Sequence, residues 1–275
     1  MKINISDKQL SFLKSVKRKM IFNKIIIIDF FRIKWLITLY FNFKMFKLKT
    51  ALRLPIFFYE RVLFDSLKGQ IIINAPVTRG MVKVGNNLEI VRRAIGTSEF
   101  RIDGTFIING SFNTGVDCTI IIQRGGVLEI GENSYLGSRT KIITTNRIIL
   151  GRHFRFGFES QILDSTFHFM IDYKRNEVRR FNGEVFIDDY CWIGNRTSIM
   201  KNTITPKYTT VASNSLLNKD YTKDVPEKSI IGGIPAKLIR DEISRIYDAE
   251  KETIILNFFY SYPEEQVYTV RPDFL

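Results

Sequence analysis

The sequence predicts an all-β solenoid: a parallel β-helix with an N-terminal helical segment ahead of it and a short C-terminal helix behind it. Three observations lead there. Read in sixes, the chain places a bulky, mostly aliphatic residue at Leu150, Phe156 and Ile162, and again after a break at Ile187, Ile193, Ile199, Thr205, Val211 and Leu217. The residue four places on is small at Ser160, Thr166, Cys191, Thr197, Thr203, Thr209 and Ser215. The residue one place on is Gly151, Gly157, Asp188 or Gly194 in four repeats, which points to a corner with positive φ. A chain that turns every six residues stacks its bulky side chains inward, and three such sides make one coil.

The elements follow in chain order. Residues 1–70 read as a basic, apolar, helical N-terminal segment, with helices expected over 8–20 and 23–46. The chain carries a net charge of +13, and this quarter holds most of it: 15 Lys/Arg against 4 Asp/Glu, so +11, while 71–275 hold 26 against 24. Asp29, Arg32 and Lys34 interrupt the apolar run from Ile25 to Phe43, whereas a spanning helix needs about 20 nearly uncharged residues. Residues 1–50 are therefore expected either to lie on an anionic membrane surface or to pack on the rest of the chain or a neighbouring subunit. No nucleic-acid-binding motif appears, so nucleic acid is excluded as a partner.

Leu54-Pro55 ends the helical stretch, and strand pieces are expected at 56–64 and 70–74. Residues 71–238 form the expected β-helix domain. Its sixes start weakly at Ile102, reset at Ile130 and Leu136, and take a step of eight from Ile142 to Leu150, which implies a bulge. Residues 85–217 give about six or seven coils. The loop 169–184 breaks the period and carries Asp172, Lys174, Arg175, Glu177, Arg179 and Arg180, a run suited to covering a site or meeting an anionic substrate. Residues 239–275 read as a helical cap, with a helix at 240–250. The two cysteines, Cys118 and Cys191, fall on small inward positions and suggest neither a disulfide framework nor a metal site. With no secretory signal, a cytoplasmic location is expected, peripheral at the inner membrane face if residues 1–50 touch lipid.

Asp164-Ser165-Thr166-Phe167-His168, Trp192-Ile193-Gly194 and Gly232-Gly233-Ile234-Pro235-Ala236-Lys237, in that order on the hexads, resemble the hexapeptide-repeat acyltransferases. The likeness covers roughly 100–240 and looks closest to the sugar and surface-polysaccharide O-acetyltransferases. It implies a left-handed parallel β-helix, against the usual right-handed crossover, a homotrimer, and acetyl-CoA as acyl donor in a groove between subunits.

Moving an acetyl group to a sugar hydroxyl needs that hydroxyl deprotonated as it attacks, and an imidazole titrates in the right range. The chain has two histidines; His168 matches the family's catalytic position and stands where the repeat breaks, while His153 lies in a turn of the repeat. Asp164 is the candidate to orient His168. Many relatives carry an acid two residues before the histidine, where this chain has Thr166, and a proline after it, where this chain has Phe169. Glu159 and Trp192 are the candidate substrate-binding residues. For the donor, the match suggests Asn195, Ala212 and Ser213 beside pantetheine, with Lys219 and Lys237 toward the phosphates. No metal is expected: the zinc site of a γ-type carbonic anhydrase needs three histidines. The expectation is thus an acetyl-CoA-dependent O-acetyltransferase acting on a saccharide. The alternatives are a serine or amino-sugar acetyltransferase, or a non-catalytic β-helix scaffold.

Overall fold

The computed structural model describes residues 29–86 and 96–270, and they form a left-handed parallel β-helix with three flat faces. The first face stacks Ile56–Phe58, Val82–Val84, Phe112–Thr114, Ser134–Leu136, Arg155–Phe156, Trp192–Ile193, Thr210–Val211 and Ile230–Gly233. The second stacks Arg61–Leu67, Thr97–Ile102, Thr119–Ile122, Lys141–Thr144, Gln161–Leu163, Ser198–Met200 and Leu216–Leu217. The third stacks Gln70–Ile73, Thr105–Ile108, Val127–Ile130, Arg147–Leu150, Glu184–Ile187 and Ile204–Thr205. The chain visits the faces in that order, completing six coils; Thr210–Val211 and Leu216–Leu217 make two sides of a seventh, and Ile230–Gly233 opens an eighth. The register steps along the first face run 22 residues from Phe112 to Ser134, 20 from Tyr135 to Arg155, 37 from Arg155 to Trp192 and 18 from Trp192 to Thr210. Of these steps, only the last has the length of three strict sixes.

The bulky positions do face inward. Ile130, Leu136, Leu150, Phe156, Ile162, Ile187, Ile193, Ile199, Val211 and Leu217 are buried in one continuous core, where each side chain contributes roughly 1.5–3 kcal/mol. Cys118 and Cys191 are buried free thiols, and burial pushes their pKa values up to about 11 and about 12. The small positions other than Thr166 are buried too: Ser160 Oγ donates to Gly194 O and accepts from the Thr197 amide, and Thr209 Oγ1 donates to Pro206 O at the corners.

The corners differ from the expectation in one respect. Positive φ falls three residues after the bulky position, at Arg139, His153, Glu159, Tyr190, Arg196, Asn202, Tyr208 and Asn214, and not one residue after it. The glycines one place on have another cause: a Cβ on Gly157 would lie 2.5 Å from Asn195 Oδ1, and one on Gly194 would lie 2.6 Å from the Ser213 amide nitrogen. Coils approach too closely there for any side chain, so glycine is selected by contact between coils and not by left-handed backbone.

The coils also begin earlier than residue 71. Ile56–Phe58, Arg61–Leu67 and Gln70–Ile73 already pair with the second coil, but their corners are not six apart, so the hexads pass over them. Ahead of them, residues 29–32 are helical and helix α1 spans Trp35–Met45; the break at Ile33-Lys34 comes where the Lys34 amide donates to Phe58 O at 2.7 Å. The short helix α2, Leu48–Ala51, follows. The expected helix at 8–20 lies outside the described residues. The helix expected at 240–250 is displaced: Ala236–Arg240 instead turns back as a strand antiparallel to Ile230–Gly233, and helix α3 spans Ala249–Ser261. Asp248 starts α3 by accepting from the Glu250 and Lys251 amides, a carboxylate N-cap. No described helix is long and apolar enough to cross a membrane.

Candidate active site

The site is built on the fifth coil, where the chain leaves the second face at Leu163 and regains the third at Glu184. Asp164 opens this excursion and is fully buried. Its carboxylate accepts from Thr144 Oγ1 at 2.6 Å, the Thr145 amide at 2.8 Å, Thr145 Oγ1 at 3.0 Å and the Asn146 amide at 2.7 Å. Its carbonyl accepts from the Gly183 amide at 2.8 Å, so both ends of the loop meet at this residue. The sequence paired Asp164 with His168; the structure pairs it with the fourth-coil bulge at 144–146 instead. That bulge presents two unpaired amides at one point, and a buried carboxylate satisfies both at once.

Above this root, Ser165 bridges Asn182, the Thr166 amide donates to Phe181 O at 2.9 Å, and Thr166 Oγ1 bonds Phe181 O and His168 O. Thr166, at the position where relatives carry an acid, thus holds the loop backbone. Met170–Asp172 and Glu177–Arg179 then form an antiparallel hairpin, and Lys201 Nζ caps its exit by donating to Arg180 O at 2.9 Å. His168 sits between root and hairpin, exposed, with no side-chain hydrogen bond among the described residues. Phe167 and Phe169 flank it, 46% and 67% exposed, and Phe169 packs edge-on against Phe181.

His153 is placed quite differently. It occupies a corner between the third and first faces, its ring stacked on Tyr190 at 4.6 Å, and Tyr190 in turn stacks on Tyr208 at 4.7 Å. Asn133 Nδ2 lies 3.0 Å from His153 Nδ1. Burial, then the nearby Arg155 guanidinium, hold the His153 pKa below the ordinary histidine value.

The remaining candidates separate onto two edges. Asn195, Ala212 and Ser213 form one strip along the corner between the first and second faces: the Asn195 amide donates to Ser213 Oγ at 3.1 Å, and the Ala212 amide to Ile231 O at 2.9 Å. Lys237 joins this strip, paired across the hairpin with Gly232, whose own Cβ would lie 2.8 Å from the Ala212 methyl. Glu159 stands one coil below Asn195 on the same edge, ion-paired with Arg139 at 3.1 Å beside a 360 Å³ groove that Lys141 and Gln161 also line. Trp192, 43% exposed, lies on the first face next to that edge. Lys219 does not join them. It follows Leu217 at the corner between the second and third faces, the edge from which the His168 loop departs, and is paired with Asp224. Within one chain, therefore, His168 and Lys219 are separated from the strip and from Trp192 by the width of the second face. The five residues from Glu159 to Asp164 span at most about 17 Å of it.

Arg245 and Tyr247 were not legible in the sequence, since they lie outside the repeats. Arg245 lies 5.6 Å from the Trp192 ring and 5.4 Å from that of Tyr247, and Tyr247 donates to Tyr190 O at 2.8 Å. The His153–Tyr190–Tyr208 column carries a readable signal, because all three stand three places after a bulky position. Among the described residues, no group of three His, Cys, Asp or Glu could hold a metal ion.

No family model matches the chain, and no curated protein matches its sequence. Solved structures do. The polysialic acid-specific acetyltransferase NeuO aligns over 77% of this chain and 86% of its own, with 19% identity and a TM-score of 0.54. The polysialic acid O-acetyltransferase OatWY aligns over 73% of this chain and all of its own, with 15% identity and a TM-score of 0.44. The hexapeptide-repeat acetyltransferase VCA0836 of Vibrio cholerae, in complex with acetyl coenzyme A, covers 50% and 64%, with 21% identity and a TM-score of 0.35. The first of these establishes a shared fold.

Proposed function

We propose that the protein is an acetyl-CoA-dependent O-acetyltransferase acting on a saccharide hydroxyl in surface-polysaccharide synthesis, with His168 as general base. The observation that carries this reading is an exposed imidazole on a loop whose root is locked by a buried carboxylate. The fold shared with NeuO supports it. His168 takes the acceptor's hydroxyl proton as the oxygen attacks the acyl carbon, and returns it to the leaving sulfur. Asp164 is a positioning residue: it fixes both ends of the loop. Trp192 faces the acceptor or the developing oxyanion, and its own amide is bonded to Thr209 O, which leaves the indole for that role.

Acetyl-CoA supplies the activated thioester when bound. The strip of Asn195, Ala212 and Ser213 suits a thin pantetheine arm, since small side chains and the buried Gly194 and Gly232 leave nothing to obstruct it. The exposed Lys237 offers a cation to phosphate at its end. His168 and Lys219 lie one edge away from this strip, so a single chain does not complete the site. A homotrimer about a threefold axis closes a head-to-tail interface and sets one subunit's loop edge against its neighbour's strip. The reading places the enzyme in the cytoplasm, peripheral at the inner membrane face.

Thiol release from acetyl-CoA, measured with a panel of saccharide acceptors, tests the activity. His168→Ala should abolish it while leaving the melting temperature unchanged; an unaltered rate in that variant overturns the assignment. Sedimentation should give three times the 32.1 kDa chain mass.

A further inference from the structure

Helix α1 is apolar on its outer side as well as its inner one. Its two uncharged polar side chains, Thr38 and Asn42, point into the protein: Thr38 Oγ1 accepts from the Phe58 amide at 3.2 Å, and Asn42 bonds the Ile56 amide at 3.2 Å and the Ile56 carbonyl at 2.7 Å. Both are fully buried, and they satisfy the first strand of the first face, which has no neighbouring coil on that side. Phe41 joins them, packed against Phe58 and Phe64. The opposite side of α1 carries Leu36, Leu39, Tyr40 and Phe43, spaced as i, i+3, i+4 and i+7, and all four are exposed, Leu36 to 86%. Leu48 and Leu52 continue the apolar surface, exposed to 65% and 60%.

Charge identifies what this surface meets. Residues 29–53 hold six Lys/Arg and a single acid, Asp29. That acid accepts from the Tyr59 hydroxyl at 2.9 Å and pairs with Lys83 and Arg32, each at 3.7 Å, so it neutralises none of the other five cations. Lys34, Lys44, Lys47, Lys49 and Arg53 are all exposed around the apolar stripe. A second copy of this face would set cation against cation. Residues 1–28 carry seven Lys/Arg and one Asp, so they bring no counter-charge.

We infer that the outer face of α1, with Leu48 and Leu52, docks on a bilayer of anionic phospholipid: the apolar stripe enters the acyl boundary and the surrounding cations meet lipid phosphates. The inference gives a face to the peripheral placement proposed above and is independent of the transferase chemistry. The test is co-sedimentation of the full chain with vesicles of phosphatidylcholine containing about one-third phosphatidylglycerol, and with pure phosphatidylcholine vesicles. Wild type should sediment only with the former, and less as salt rises. The triple variant Leu36→Ser, Leu39→Ser, Phe43→Ser should lose partition roughly tenfold or more. Because these side chains are exposed, it should keep the wild-type melt and the wild-type rate on a soluble acceptor. Lys44→Glu with Lys47→Glu and Lys49→Glu should lose binding as well. Equal binding by the apolar triple overturns the proposal, as does absence of wild-type binding or a drop in assembly mass in the triple, which would make the stripe an interface between copies. Loss of acetyl transfer with vesicle binding intact would instead count against the transferase reading alone.

Discussion

The two histidines occupy opposite kinds of site, although fifteen positions separate them. His153 is built in: its ring is the first of three stacked rings, its Nδ1 faces Asn133, and its backbone makes a corner with φ of 56°. His168 is built upon: its loop is anchored from below, and its ring is left open. A ring committed to neighbours stabilises the coil, whereas an uncommitted ring on a fixed base is free to exchange protons with a ligand.

The largest test of this contrast is catalytic. His168→Ala should lower acetyl transfer by ~10²–10⁴-fold with no loss of stability, while His153→Ala should leave turnover within about threefold. Comparable losses in both variants would break the contrast. Next comes the base beneath the loop. Asp164→Ala leaves the 144–146 amides unpaired in the interior and should cost ~2–4 kcal/mol in denaturant unfolding, with turnover falling in the folded fraction. If Asp164→Ala lowers turnover without any change in stability, the carboxylate acts on the imidazole after all.

The pH dependence of stability separates the half-buried His153 from a buried carboxyl. Glu60, 8% exposed, has its pKa raised to about 7 by desolvation, against the opposing hydrogen bonds from Ser98 and the Asp117 amide. A carboxyl raised in the fold binds its proton more tightly there than in the unfolded chain. Its contribution is therefore full below pH 4.5 and is lost as pH climbs to about 7. Glu60→Gln should abolish that loss, a difference on the order of 2–3 kcal/mol at pH 8. His153, with its pKa lowered, behaves in the other direction: its contribution is present above the unfolded value of 6.5 and is lost as pH falls through its folded value. The smallest effect is the most diagnostic. In the Glu60→Gln background, His153→Ala should cost about 1 kcal/mol at pH 8 and flatten the remaining acid-side slope in thermal melts.

What could be read in advance follows from how far each constraint reaches along the chain. The bulky and small positions from Ile130 to Leu217 are local and periodic, so the core was legible residue by residue. The first coil was not, because its strands are matched to Thr97–Ile102 and Thr105–Ile108 across irregular connections and leave no six-residue signal. Gly157 and Gly194 read as left-handed corners from one repeat alone, where close approach of the next coil is invisible. Asp164 beside His168 in sequence suggested a partnership, but the acceptors' true donors sit about twenty residues back, one coil below. The family resemblance sets Lys219 beside the strip of Ser213, yet six residues are enough to carry it around one face to the next edge.

Stacking by backbone pairing also gives the molecule a graduated scale. Each coil adds one strand spacing, about 4.8 Å, and the His168 loop leaves the fifth coil while α1 closes the first, so about 19 Å of rod stands between them. That height changes only in whole steps. Deleting one coil from between them would lower the imidazole by a single increment without reshaping its loop; on the function and docking face proposed above, the length of acceptor that can reach it from a surface at the rod's foot would shorten accordingly.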